Sequence, residues 1–203
     1  MKSITTLLVV AGLIISVQSC YVSKPLDHDV HISIDSAFPI VITNTGNSNF
    51  SAKHTEAEYR SAYMDQLIKE LAVNRVIADN VSPEFTVKIT SLEIHESTKM
   101  DTVKDVKSRD NGMARELTLA DLKTSGMITR ISSGKSGNWD AEKDKDEKLT
   151  NNQSLDQMIA GQNKDNTLYR EKNFDENEFV HLATLCGRRA AVRIEKELQK
   201  LLK

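Results

Sequence analysis

Thiol and imidazole side chains have the widest chemical range in this chain, and their spacing decides which of them could act together. The chain has two cysteines and five histidines. His181 is the histidine nearest to Cys186, and their separation of five residues places the two side chains on different faces of a helix. Cys186 recurs with apolar residues at helical spacing. We therefore expect it to pack in the core as a small hydrophobic residue, not to act as a nucleophile or metal ligand.

The ordinary metal-binding motifs are missing from the sequence. A paired-histidine zinc helix would need a second histidine four residues after His95, where Lys99 stands. A calcium loop needs fixed ligand spacing and a central glycine, and the acidic cluster after Trp139 has lysines between its acids instead. We expect that cluster to be a solvated charged loop, and we predict no metal site. The histidines concerned are His28, His31, His54, His95 and His181, and the acids are Asp140, Glu142, Asp144, Asp146 and Glu147.

A glycine-rich turn invites comparison with a phosphate-binding loop. Gly134-Lys135-Ser136 matches the end of that motif, but the motif needs a glycine five residues before Gly134, where Thr129 stands. A turn into a strand, and not a helix, follows. The sequence therefore predicts a hairpin turn here and no nucleotide site.

Three arginines near the end of the chain and the single tryptophan are interpreted as structural residues, not as parts of a functional site. Arg188, Arg189 and Arg193 predict a solvated helix face, and Trp139 predicts a packing residue. No catalytic triad, paired carboxylates or metal-ligand set can be assembled from the sequence. We therefore predict a protein that is not an enzyme, with no catalytic residues and no cofactor.

The chain begins with a segment typical of secretion. Lys2 is followed by the apolar run 4–17, and no charged residue occurs before Lys24. This run is short for a membrane-spanning helix, which needs about 20 apolar residues, and its length suits a signal peptide. An ordinary secretory signal and an uncleaved anchor are the alternatives.

Val17-Gln18-Ser19-Cys20 resembles the lipobox, the motif at which bacterial lipoproteins are processed. Val17 supplies the aliphatic residue, Ser19 the small residue and Cys20 the cysteine, while Gln18 is larger than usual. The resemblance implies a signal peptide over 1–19 and lipidation of the Cys20 thiol. It also implies membrane attachment through acyl chains, because several chains together give stable anchoring.

Composition favours one ordinary folded domain after this segment. The chain is 39% hydrophobic and 28% charged, and its formal net charge is −2. A nucleic-acid-binding protein would show a basic excess, so we predict no nucleic-acid partner. With Cys20 acylated, only Cys186 remains, which excludes an intramolecular disulfide. The predicted organisation is a lipidated tether over 20–29 and a single domain over 30–203.

Alternation of apolar and polar residues predicts the strands. The segment 30–34 alternates cleanly, and Pro39 predicts an edge strand or a bend soon after it. The next alternating segment, 85–94, changes phase at Thr90, which predicts a β-bulge. A third strand region is predicted over 117–132, and a returning strand is predicted to open at Trp139.

Two long helices are predicted, one in the middle and one at the end. Thr55 and Glu58 form a capping box for the first, which should run to a left-handed residue at Asn74. Apolar residues at helical spacing predict the second over 175–202. Two polar stretches should lack regular structure: a loop over 100–115 and a mobile segment over about 141–170.

These elements predict an α+β fold in strand-helix-strands-helix order. We expect an antiparallel or mixed sheet of about four strands with both long helices packed on one face. The element order 30–34, 55–74, 85–139 and 175–202 behind Cys20 resembles small α+β envelope lipoproteins, such as the lipopolysaccharide-assembly lipoproteins. The resemblance is one of element order and carries over no functional residue except Cys20.

Two functions follow as expectations. The first is a non-catalytic, membrane-anchored adaptor or assembly component that binds another envelope protein, with the periplasmic side of the outer membrane as the default location. The second is a small-ligand or lipid-binding lipoprotein. That function would need an apolar pocket between sheet and helices, lined by residues such as Phe85, Ile89, Met127 and Phe179.

Overall fold

A computed structural model of the protein describes residues 25–151 and 168–203. The predicted signal peptide 1–19, the predicted lipidation site Cys20 and the residues 152–167 lie outside these described residues. Within them, the chain forms an α+β fold with two α-helices and a curled mixed sheet. None of the helices in the described ranges has the length and apolarity that crossing a membrane requires.

Six strands form the main sheet, in the order β3-β1-β4-β5-β6, with β2 pairing to β4 beyond β1. The pairs of β1 with β3 and of β1 and β2 with β4 are parallel, whereas β4, β5 and β6 are antiparallel. β7 and β8 make a separate antiparallel pair. The strands are β1 (Val30–Asp35), β2 (Ile40–Asn44), β3 (Val76–Ala78), β4 (Phe85–Thr102), β5 (Ala114–Arg130), β6 (Ser136–Asp146), β7 (Leu149–Asn151) and β8 (Leu168–Arg170).

The first helix, α1 (Glu56–Val73), has the predicted capping box. Thr55 Oγ1 accepts from the N–H of Glu58, and the Glu58 carboxylate accepts from the N–H of Thr55. The predicted left-handed residue is displaced by one position: Asn74 has φ −101° and Arg75 has φ 67°. Arg75 is held there because its guanidinium donates to Asp29 and to the carbonyl of Asp27.

The second helix, α2 (Glu176–Leu201), confirms the prediction of a long closing helix, and Asp175 caps its start. Its small residues bring it close to two neighbours. The Cys186 side chain lies against the sheet at the carbonyls of Leu122 and Ala141. On the adjacent side, a Cβ at Gly187 would overlap the carbonyl oxygen of Tyr63 in α1. The close approach of the two helices therefore depends on Gly187.

One apolar core lies between the helices and a single face of the sheet. The α1 side chains Tyr59, Tyr63, Leu67 and Leu71 are fully buried in it. The predicted bulge is confirmed, because the β4–β5 register shifts between Ile89 and Ser91. The helices thus cover one face of the sheet, as predicted, and leave the other face open.

The sheet has more strands than the four predicted. β2 runs along the same edge of β4 as β1, and the break between them contains Pro39, whose carbonyl accepts from Leu92. The expected irregular stretch over 141–170 is wrong in part, because β6 continues to Asp146 and β7 and β8 follow. The predicted loop 100–115 is shorter than expected, because β4 extends to Thr102 and β5 begins at Ala114.

Candidate functional site

The β4–β5 hairpin extends beyond the rest of the sheet. These two strands pair from Phe85 and Arg130 to Thr102 and Ala114. β6 accompanies β5 only as far as Leu119, and β2 accompanies β4 only as far as Glu96. We call residues 97–118 the hairpin arm. Among the described residues, no other strand pairs with this ribbon, although Glu116 and Thr118 near its base contact Asn47 and Glu147.

The loop at the end of the arm is held in one shape by its own contacts. The N–H of Val103 donates to the carbonyl of Met113, and the N–H of Gly112 donates back to the carbonyl of Val103. Gly112 adopts φ 81°, a conformation that suits glycine. The Val103 side chain is buried beneath the loop. The loop therefore presents its outer residues from a fixed support.

Three large apolar side chains face outward on this support. Val106, in the loop, is 87% exposed, and Met100, near the end of β4, is 67% exposed. Met113, just before β5, is also exposed. We call Met100, Val106 and Met113 the tip patch. Exposed apolar side chains at the end of a projecting element are typical of a protein-interaction site, because burying them against a partner is favourable. Methionine adds adaptability to such a surface.

A buried carboxylate, Glu96, fixes the base of the arm. Its oxygens accept from Ser48 Oγ at 2.6 Å, from the N–H of Phe50 at 3.0 Å and from the N–H of Ser51 at 2.7 Å. Burial raises the pKa of Glu96, but these hydrogen bonds outweigh it, and the net pKa is lowered. The ionised carboxylate thus ties the segment after β2 to the strand that becomes the arm.

A second buried carboxylate, Glu147, holds the other strand of the arm. It accepts two hydrogen bonds from Arg170, at 2.8 Å and 2.7 Å, and one from the N–H of Thr118 at 2.8 Å. Burial raises the pKa of Glu147, but the hydrogen bonds from Arg170 and Thr118 have the larger effect, so the net pKa is lowered. Ser48 Oγ and Thr118 Oγ1 lie 2.8 Å apart and join the two carboxylate clusters.

A small polar pocket of about 160 Å³ opens beside this network, with Asn47, Glu116 and Arg170 among its lining residues. General acid catalysis near neutral pH needs a carboxyl group whose pKa is raised. The carboxylates beneath this pocket have lowered pKa values and already accept from internal donors. The arrangement therefore suits positioning of the arm.

The sequence-predicted site residues do not converge on this region. Cys186 is fully buried, which confirms the prediction of core packing, and burial raises the pKa of its thiol to about 12. His31 lies 3.1 Å from Asp79, and His54 lies 3.6 Å from Glu58. Over residues 25–151 and 168–203, no three histidine, cysteine or acidic side chains are grouped so as to hold a metal ion.

The turn and packing predictions agree with the structure. Gly134, at φ 67°, lies in the turn between β5 and β6, as expected for a hairpin turn. Trp139 is buried over Gly126, where a Cβ would overlap its ring. Arg188 is half exposed and pairs with Glu70 at 3.3 Å.

The acidic cluster is a strand and not the predicted loop. Its acids lie on the open face of β6, and the intervening Lys143 and Lys145 lie on the helix side, where Lys145 pairs with Glu178 at 2.8 Å. Acidic side chains therefore lie on one face of β6 and lysine side chains on the other. The acids on the open face are Asp140, Glu142, Asp144 and Asp146.

The four residues named for the pocket of the ligand-binding alternative do not come together. Phe85, Ile89 and Phe179 are buried in the packed core, whereas Met127 is 40% exposed on the opposite face of the sheet. These four side chains therefore share no cavity. The position of Met127 in the β5 alternation places it with Lys123 on the open face.

Sequence reasoning missed both buried carboxylates, Glu96 and Glu147, although a signal was present for Glu96. Glu96 continues the buried phase of Leu92 and Ile94 in β4. A carboxylate at a core position of an alternating strand needs internal donors, since burying an unpaired charge is costly. That phase alone identifies Glu96 as a buried polar residue with partners elsewhere in the chain.

Comparison with known proteins identifies no family. No protein-family model matches the chain, and none of the curated proteins matches it. A solved structure described as a neuraminyllactose-binding hemagglutinin homolog from Helicobacter pylori is 12% identical, with 88% of this chain and 89% of that chain covered and a TM-score of 0.45.

Two further structures show weaker likeness. A hypothetical protein from Chlamydia trachomatis is 14% identical over 84% of this chain and 98% of its own, with a TM-score of 0.38. A protein described as a lipoprotein from Caulobacter crescentus is 12% identical over 82% of this chain and 90% of its own, with a TM-score of 0.27. Because these TM-scores lie below 0.5, none of the three supplies a function to this chain.

Proposed function

We propose that the protein is a non-catalytic, lipid-anchored envelope lipoprotein that acts as an adaptor by docking its hairpin arm onto another envelope protein. The observation that carries this proposal is the tip patch: exposed apolar side chains on an ordered arm that projects from the sheet. The anchor is Cys20, in the lipobox-like sequence. We propose the periplasmic side of the outer membrane as its location.

The size of the tip patch suits a localised contact. Complete burial of a valine or methionine side chain is favourable by about 1.5–3 kcal/mol. The tip patch offers three such side chains at the outer end of one hairpin, and binding energy in protein interfaces is concentrated in a few residues. The rigid base formed by Glu96 and Glu147 limits the entropy that the arm loses on docking.

The test is crosslinked co-purification from membranes with the full chain. Native protein should capture one envelope protein, and Val106→Asp should reduce that capture at least tenfold because it places a charge in the apolar contact. Val73→Asp is the matched control, since Val73 is a 64% exposed valine remote from the arm. Cys20→Ser tests the anchor, because it should release the protein from membranes and weaken capture.

Equal capture by native protein and Val106→Asp would contradict docking through the tip patch. Absence of any captured protein from membranes that contain the native chain would contradict the adaptor function itself. A Cys20→Ser variant that stays in the membrane fraction would contradict the lipid anchor.

A further inference from the structure

We infer that the domain stands end-on at the bilayer, with Val81 and Ile131 in the membrane interface and the hairpin arm pointing away. This inference rests on the proposed lipid anchor at Cys20 and goes beyond it, because an anchor alone leaves the orientation of the domain open. It names the surface of the protein that contacts lipid and the surface that does not.

Several parts of the chain meet at the end of the sheet where β4 begins. We call this the tether end. The N–H of Leu26 donates to the carbonyl of Asn74 after α1, and Arg130 donates to the carbonyl of Leu201 at the end of α2. The N–H of Ile131, in the turn after β5, donates to the carbonyl of Glu84 in the loop before β4.

The length of chain before Pro25 limits how far the tether end can be from the lipid. Pro25 is the fifth residue after Cys20, so five residue steps join their Cα atoms. At no more than about 3.6 Å per residue, they reach at most about 18 Å whatever their conformation. The polar headgroup region on one side of a bilayer is itself roughly 5–8 Å thick. The tether end therefore lies at or near the headgroups whenever Cys20 is inserted.

The surface of the tether end has the chemistry of an interface contact. Val81, in the loop between β3 and β4, is 89% exposed, and Ile131, in the turn between β5 and β6, is 52% exposed. Lys135 is in the same turn as Ile131, and Lys203 follows α2, while the exposed acids Asp27 and Glu84 lie at the same end. Apolar side chains can enter the boundary of the acyl chains, while lysine ammonium groups reach lipid phosphates.

The other broad surface is unsuited to the same role. The open face of the sheet mixes the acids of β6 with Lys99 and Lys123, so it offers anionic headgroups no purely basic patch. A domain lying flat on that face would also bring the tip patch to the membrane. β4 has 18 residues, so at about 3.3 Å per residue the tip patch is roughly 60 Å from the tether end. End-on contact leaves the tip patch free for a protein partner.

The test uses full-length, lipidated protein reconstituted in vesicles of phosphatidylethanolamine and phosphatidylglycerol that contain a spin-labelled lipid. An environment-sensitive fluorophore is placed by Val81→Cys in one sample and by Val106→Cys in another. The two valines are 89% and 87% exposed and lie at opposite ends of the domain, so they are a matched pair. Cys186 is fully buried and stays unlabelled in folded protein.

The expected result is a blue-shifted emission at position 81 and quenching by the spin-labelled lipid several-fold stronger than at position 106. Equal quenching at both positions, or stronger quenching at 106, in protein that floats with the vesicles would overturn the orientation and leave the anchor intact. Protein that fails to float would overturn the anchor and, with it, this inference.

Discussion

Glu96 and Glu147 show how single residues determine whether the hairpin arm keeps a fixed position. Each is almost completely buried and ionised, and each accepts hydrogen bonds from backbone N–H groups of a segment distant in sequence. Their pKa values are lowered because the folded protein supplies more stabilisation to the charged form than burial removes.

The first prediction concerns pH. A carboxyl group whose pKa is lower in the folded state than its ordinary value of 4.5 contributes stability above pH 4.5. That contribution is lost as the pH falls through the lower folded value. We expect the free energy of unfolding in urea to decrease steeply below pH 4.5 for the native chain and less steeply for Glu96→Gln.

At neutral pH, Glu96→Gln should cost about 2–3 kcal/mol, since it removes charge-assisted acceptors from buried donors. Glu93→Gln is the matched control, because Glu93 is exposed three residues away on the same strand. An unchanged pH dependence in Glu96→Gln would show that the carboxylate contributes nothing to acid stability.

The second prediction concerns Cys186. Its thiol is buried and has a pKa of about 12, so the reactive thiolate is scarce in folded protein at neutral pH. In the Cys20→Ser chain, a water-soluble disulfide reagent should titrate no thiol until urea unfolds the protein. A thiol that reacts at the rate of a free cysteine before unfolding would contradict core packing of Cys186.

The residue scale also shows what could be predicted. Cys186 was placed correctly because its neighbours at helical spacing are apolar or small, and this local pattern is sufficient. Glu147 was missed because its partners, Thr118 and Arg170, are 29 and 23 residues away in sequence. Nothing in the sequence near Glu147 indicates that those donors approach it.

Among the elements, β6 departs most from prediction. Its sequence from Asp140 to Asp146 is almost entirely charged, which usually indicates a solvated loop. The structure places the lysines toward α2, where Lys145 contacts Glu178 and Glu171. The alternation of acidic and basic residues with a period of two was therefore the pattern that indicated a strand. Helix α1, in contrast, was predicted nearly to the residue because its capping box is a local feature.

The third prediction tests the contact between the two helices. Alanine at position 187 would favour the helix by about 1 kcal/mol in isolation. In the folded protein its Cβ would overlap the carbonyl oxygen of Tyr63 in α1. We expect Gly187→Ala to lower the free energy of unfolding by about 1–3 kcal/mol, as overpacking usually does.

Thr184→Ala is the control on the same helix, because Thr184 is only partly buried, and its effect should be within about 0.5 kcal/mol. Urea denaturation followed by circular dichroism measures both variants. A Gly187→Ala variant as stable as the native chain would mean that the helices can separate at this point without cost.

The fourth prediction separates the arm from the fold. Lys99 and Leu117 are cross-strand partners, so replacing residues 100–116 by Asn-Gly closes the hairpin with a two-residue turn. The main core involves none of the removed residues. We expect a cooperative thermal transition close to that of the native protein and complete loss of partner capture. Normal capture by the shortened chain would place the docking surface elsewhere.

At the scale of the whole molecule, the sequence indicated the α+β class and the single helix-covered face but not the strand order. β1 pairs in parallel with both β3 and β4, and β2 joins β4 farther along. Such pairings join segments tens of residues apart, and local alternation carries no information about them. The order also creates the hairpin arm on which the proposed function rests, because β2 and β6 stop pairing at Glu96 and Leu119.

The last prediction concerns the strength of membrane contact. Val81 and Ile131 together can contribute roughly 2–4 kcal/mol by entering the interface. A dissociation constant of 1 mM corresponds to about 4.1 kcal/mol, so this contact alone is millimolar or weaker. The short tether to an inserted Cys20 raises the effective concentration into the millimolar range, where the contact can orient the domain. We therefore expect Cys20→Ser protein to remain unbound in vesicle flotation, whereas native lipidated protein floats. Flotation of Cys20→Ser would require a larger membrane-binding surface than the tether end provides.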